Sequence, residues 1–208
     1  MESLSLLNHI RSNSPVDFTP LDSLQKTMRG LWIVSLYAAF ERSANAIVEA
    51  AIAEIAAHGA PSINFAPSIQ GIIHYAKVQA VKDCGQGTVF DKSALLFSAA
   101  FSGAPVDNFE NPLAERMMNV DGKTLKWLAG LFGAGSFEVE GADLGRLGAL
   151  RERRNAVAHG REPASNVGER YTLSEMANLY AAADRVSMAF LLVMKDHCIE
   201  RRYLRSAA

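Results

Sequence analysis

Leu147-Gly-Ala-Leu-Arg-Glu-Arg-Arg-Asn-Ala-Val-Ala-His-Gly160 is the stretch around which the rest of the chain is organised. It has helical composition, ends on a glycine, and puts a permanent cation, Arg154, five residues before a titratable base, His159. Five residues on a straight α-helix turn through roughly 500°, which leaves the two Cα positions roughly 140° apart and on different faces. A single copy of this helix is therefore a poor site. Two copies facing each other across a two-fold axis would bring two arginines and two histidines into one cleft, because an isologous interface repeats every group.

Working outward, Asp143 opens the helix that carries this pair, and Gly160 stops it near His159, since glycine tolerates the left-handed conformation of a helix end. Beyond a polar loop with Pro163, Thr172-Leu-Ser-Glu175 spells a capping box. The helix it starts is expected to reach about Tyr203, with Leu173, Met176, Tyr180, Ala183, Phe190 and Met194 along one stripe. On the other side, Thr19 before Pro20 reads as an N-cap and a first helical position. From Leu21 to about Ala57 an amphipathic pattern runs without proline, carried by Leu36, Phe40, Ala44, Ile47, Ala51 and Ile55. Gly30 is its one interruption and is expected to mark a bend. Two long helices with the motif helix between them make an all-α antiparallel bundle the economical fold.

The middle, residues 62–141, is cut into short pieces by glycine and proline. Helices are expected over Ser68–Val81, Asp91–Phe101, Pro112–Asn119 and Gly122–Phe132, and a short one at Leu4–Ile10. Phe137-Glu-Val-Glu140 alternates over too few residues to make a strand. The chain is accordingly expected to be one domain, 1–208, with 62–141 inserted into the bundle.

Twenty-one basic and 22 acidic residues leave a net charge of −1, so no overall polycation advertises nucleic acid. Any such field must be local: Arg146, Arg151, Arg153, Arg154 and Arg161 crowd the motif, against Asp143, Glu152 and Glu162. Cys84 and Cys198 lie far apart in no ligand spacing, which fits reduced thiols. His9, His58, His74 and His197 share no spacing and no H-E-x-x-H pattern, so no metal is expected. There is no phosphate-binding G-x-x-x-x-G-K-[ST], and the glycines near Ser102 and Ser136 lack the context of a nucleophile elbow. No unbroken apolar run reaches about 18 residues. Met1–Arg11 lacks the build of a signal peptide, and a cytoplasmic chain is expected.

Arg154-Asn-Ala-Val-Ala-His159, in its setting Leu-Arg-x-x-Arg-Asn-x-x-x-His-Gly, resembles the Arg, polar, three residues, His motif of the HEPN superfamily and its prokaryotic ribonuclease and toxin branch. Leu36-Tyr-Ala-Ala-Phe-Glu-Arg42 is similar to the aromatic-Glu helix of bacterial members. The resemblance implies a helical homodimer that cuts RNA without metal or other cofactor. In that reaction the ribose 2′-OH attacks its own phosphate and leaves a 2′,3′-cyclic phosphate. It assigns Arg154, Asn155 and His159 to catalysis, makes Glu41 and Tyr37 supports of the motif, and leaves Arg151, Arg153 and Arg161 to hold RNA. It further implies a toxin or phage-defence role under an antitoxin or a nucleotidyltransferase-like inhibitor. The competing expectations are a catalytically inactive HEPN-like dimer that binds RNA, a nucleotide or a protein, and a plain helical scaffold. In the last case the arginines and histidine would only complement the negative end of a helix dipole, worth about 0.3–1 kcal/mol.

Overall fold

The computed structural model describes residues 2–12, 21–106, 109 and 111–205. Among these residues the protein is all-α. Its helices are α1 (Glu2–Ser12), α2 (Ser23–Ala57), α3 (Pro67–Ile73), α4 (Tyr75–Lys82), α5 (Val89–Ala100), α6 (Gly122–Phe132), α7 (Gly141–Ala158), α8 (Ala164–Glu169) and α9 (Leu173–Ile199). There is no strand among them, only two isolated bridges, Pro61 with Pro105 and Phe65 with Leu204. The all-α expectation holds.

The chain divides into two compact units. The first comprises residues 1–45, 117–125 and 138–190, and it holds the motif. Trp32, Ile33, Leu36, Tyr37 and Phe40 of α2, Leu147 and Leu150 of α7, and Met176, Leu179, Ala183, Val186 and Phe190 of α9 are among its buried apolar side chains. The spacing of these residues on each helix, three and four apart, is what gives each helix one apolar face to bury. The second unit comprises residues 46–116, 126–137 and 191–208. Its core includes Val48, Ile55, Phe65, Ile69, Leu128, Phe132, Met194 and Tyr203.

Several boundaries differ from the pattern reading, each for a local reason. The Thr19–Pro20 start lies outside the described residues, and α2 begins at Ser23 behind a reciprocal cap. The Gln25 N–H donates to Asp22 Oδ1 at 2.7 Å and the Asp22 N–H donates to Gln25 Oε1 at 3.1 Å. Gly30 marks close packing within one continuous helix. A Cβ at Gly30 would lie 1.9 Å from the carbonyl oxygen of Ala164, and one at Gly168 would lie 1.9 Å from that of Lys26. Two glycines thus interlock α8 with α2.

The expected helix over Ser68–Val81 breaks into α3 and α4 at His74, whose Nε2 lies 2.7 Å from Ser62 Oγ. The segment expected as a helix over Pro112–Asn119 has only a 3₁₀ turn, Ala114–Met117. The capping box at Thr172 forms as read: its N–H donates to Glu175 Oε2 at 2.7 Å, and the Glu175 N–H donates back to Thr172 Oγ1 at 3.2 Å. Those bonds from Thr172 hold the Glu175 carboxyl below its ordinary range. α9 ends at Ile199, four residues short of Tyr203, because Arg201 takes the left-handed conformation (φ 51°). The Arg201 N–H then reaches Cys198 O at 3.1 Å and the Arg202 N–H reaches His197 O at 3.0 Å, the two bonds of a Schellman cap. By length and a mean hydropathy of 1.2, α9 alone among the described helices would fit a bilayer. Its buried stripe, Met176, Ala183, Phe190 and Met194, is that of a core helix.

Candidate functional site

α7 presents the motif through two different environments. Leu147 and Leu150 are buried and fix which side of the helix faces the core. Arg154, one turn beyond Leu150, follows them inward. Its Nη2 donates to both oxygens of Glu41, each at 3.0 Å, and the two side chains are 18 % and 25 % exposed. Its Cζ lies 4.3 Å from the ring centre of Tyr37, a cation–π contact. Tyr37 and Glu41 are four residues apart on α2 and so stand on one face. The expected supports therefore do meet the motif arginine.

The same two side chains hold a third element. The Tyr37 hydroxyl donates to Val120 O at 2.8 Å, and the Asn119 N–H donates to Glu41 Oε1 at 2.6 Å. Asn119 sits in the left-handed region, φ 62°, which asparagine tolerates better than most residues. Burial, reinforced by the Glu41 charge, pushes the Tyr37 phenol up to about 12, so it remains a hydrogen-bond donor. Next along the chain, Asp121 caps α6 by accepting from the Thr124 N–H at 2.8 Å, and its other oxygen takes Arg151 Nη1 at 2.5 Å. Burial raises the Asp121 carboxyl, but the Thr124 hydrogen bonds and the Arg151 charge outweigh it, and the group lies below its ordinary range. Residues 119–121 are thus a strap tied to α2 and to α7. The pattern Asp121-x-x-Thr124 ahead of an apolar helix was the signal for the cap. Nothing local marks its bonds to Tyr37, Glu41 or Arg151.

Arg151 also reaches Glu152 Oε1 at 3.3 Å, so it is a cation already paired. Among the described residues, no carboxylate lies within ion-pair distance of Arg153 or Arg161. Arg153 is half-buried and Arg161 exposed. Asn155 is half-buried, and its Oδ1 is enclosed without a hydrogen-bond partner. Asp143 does not cap α7; Glu140 does, by backbone. Asp143 is 2 % exposed and takes Arg185 through Nε and Nη2, both at 2.8 Å, and Arg146 Nη1 at 2.9 Å. The Arg185 bonds lead in holding its carboxyl below the usual range, against the pull of burial.

His159 is the C-cap of α7 and is exposed. The Gly160 N–H (φ 66°) donates to Val157 O at 3.0 Å and the Arg161 N–H to Ala156 O at 2.9 Å, a complete Schellman cap. Glu162 in the following loop pairs with Arg170. Among the described residues the imidazole has no hydrogen-bond or ion-pair partner. One protomer therefore brings together Arg154, Glu41, Tyr37 and the strap, and leaves His159 outside that cluster. Chemically it offers an anchored guanidinium and, at the helix end, an unengaged acid–base group. No three His, Cys, Asp or Glu side chains among the described residues converge as ligands for a metal.

No curated protein and no solved structure matches the chain significantly. The family model of RiboL-PSP-HEPN matches residues 1–187, a span that includes every residue of the site. The chain belongs to the RiboL-PSP-HEPN family, whose domain is of HEPN type.

Proposed function

We propose that this protein is a metal-independent endoribonuclease of HEPN type that works as a homodimer. The observation that carries the reading is the division of labour in the motif: Arg154 is oriented by Glu41 and Tyr37, whereas the His159 imidazole is unengaged at an exposed helix end. Glu41 holds Arg154 by Nη2 alone. The N–H groups of Nη1 and Nε, which point in different directions, are thus the ones a phosphate would take singly, and a preorganised cation there stabilises charge as it develops in the transition state. His159 moves the proton of the attacking 2′-OH, or returns one to the leaving 5′ oxygen, a role typically worth about 10²–10⁴-fold. The products are a 2′,3′-cyclic phosphate and a 5′-OH, so DNA, which lacks the nucleophile, is not cut. Arg153 and Arg161 contribute phosphate contacts that weaken with salt.

The two-fold arrangement supplies what one protomer lacks, since it sets a second His159 against each anchored Arg154. A cytoplasmic toxin or phage-defence role, restrained by an antitoxin or a nucleotidyltransferase-like inhibitor, is part of the same proposal. One observation favours the rival reading of a silent RNA-, nucleotide- or protein-binding dimer: the charge of Arg154 is already met by Glu41.

Gel assays of purified protein on a structured RNA and its DNA counterpart, in EDTA, decide between them. RNA-only cleavage that ends in a cyclic phosphate and disappears in Arg154→Ala and His159→Ala supports the nuclease. No cleavage by a folded dimer on several RNAs leaves the binding module, and equal cleavage by the variants identifies a contaminant.

A further inference from the structure

Outside the motif, the most unusual surface is on α5 in the second unit. Phe90 is 85 % exposed, and Phe97 and Phe101 are each 58 % exposed. Ala94 between them is also exposed. The spacing 90, 94, 97, 101 runs four, three, four, which is the a/d seam of a heptad, so all four residues form one narrow stripe. Phe97 and Phe101 stack within it, with ring centres 6.5 Å apart. The three rings leave the equivalent of two whole phenylalanine side chains in water, on the order of 400 Å². A patch of that size ranks with the largest on a typical monomer, which is often a functional surface.

We propose that this stripe is a face on which a second copy of the chain docks, with α5 pairing antiparallel to the α5 of the partner subunit about a two-fold axis. The sequence of the stripe is complementary to itself in that direction. Phe90 falls opposite Phe101 of the partner subunit, and Ala94 falls opposite Phe97 of the partner subunit, so a large ring meets the gap left by a small residue at the centre. Asp91 and Lys92, the two charges of the helix, fall opposite Ala100 and Ala99 and meet no like charge. The phenylalanines alone bury on the order of 800 Å² across the pair, about two thirds of the smallest standard interface of roughly 1,200 Å². Tyr75 and Val78 of α4, the helix that packs against α5, are exposed as well. The stripe itself carries no cation to hold a nucleic acid. The pairing is independent of the motif and of the nuclease reading.

Sedimentation of the full chain between roughly 1 and 100 µM, a range that brackets micromolar affinity, tests it. The wild type should have at least twice the mass of Phe97→Glu and of Ala94→Lys, whether or not the motif helices also pair. An equimolar mixture of the two variants should recover the wild-type mass, because the introduced charges face each other only in the antiparallel register. Helical circular dichroism should be the same in all samples, and so should any RNA cleavage per chain. A Phe97→Glu protein with wild-type mass overturns the proposal. Loss of mass in both variants with no recovery in the mixture overturns the antiparallel register.

Discussion

The ends of α7 and α9 are built alike and differ in what they do with a histidine. Both close with a Schellman cap, and both carry a histidine in the last turn or at the cap. His159 at the end of α7 is exposed and its ring touches no polar partner among the described residues. His197, near the end of α9, is 0 % exposed, enclosed by the rings of Phe132 and Tyr203 at 6.1 and 5.8 Å, and neither of its ring nitrogens has a hydrogen bond. Burial, with the Arg202 charge adding to it, lowers the His197 imidazole to about 4, and it stays neutral. The same residue near the end of a helix is thus a core side chain in one place and a candidate proton carrier in the other. Solvent access, which the local sequence does not state, makes the difference.

The largest effect that would break this contrast is catalytic. His159→Ala should lower RNA cleavage about 10²–10⁴-fold while changing stability by no more than about 0.5 kcal/mol, as a substitution at an exposed position does. His197→Leu should leave cleavage intact. Comparable cleavage losses in both would remove the distinction.

The next effect is acid sensitivity. An unfolded chain protonates His197 near pH 6.5, whereas the folded chain holds out to about 4. Between these values the unfolded state binds the extra proton. The contribution of His197 is therefore complete above pH 6.5, is lost as pH falls, and levels off below about 4, amounting to on the order of 3 kcal/mol. Denaturant titrations at pH 7 and pH 4.5 should show this slope in the wild type and its absence in His197→Leu.

Glu41→Gln keeps the size of the side chain and removes the charge that orients Arg154. Cleavage should fall roughly tenfold to a hundredfold, the equivalent of a charge-assisted hydrogen bond of about 1.5–3 kcal/mol, and mainly in kcat. An unchanged kcat would show that Arg154 needs no orienting.

The smallest pair concerns the caps themselves. Gly160→Ala forces a side chain into φ 66° and should cost about 1 kcal/mol, some 2–4 °C in Tm. Arg201→Gly relieves the corresponding strain at φ 51° and should raise Tm by a smaller amount. Thermal melts of the two variants measure both signs.

What could be read from the chain follows from how local the cause is. α7 and its stop at Gly160, α6, and the Thr172 capping box depend on residues within a turn of one another. The stop of α9 falls four residues before the expected one because the left-handed position is held by Arg201, where a sequence pattern signals an end by glycine. The reason for Gly30, the carbonyl of Ala164, lies far along the chain, so the local pattern suggests only a bend. The pairing of Tyr37 and Glu41 with Arg154 was expected from the family resemblance. The strap at 119–121, the Asp121–Arg151 pair and the brace of Asp143 with Arg185 carry no such sign, since each is a meeting of residues distant in sequence.

The interlocked glycines of α2 and α8 have a consequence for slack in the backbone. From the cap at Gly160 to the pinned carbonyl of Ala164 only Arg161, Glu162 and Pro163 are left to turn, and the proline ring fixes one of their torsions near −62°. The peptide on which His159 stands is therefore tethered from both directions over a span too short to drift. The imidazole owes its placement to this short, doubly tied stretch of main chain, and reaches solvent through its own two side-chain rotations.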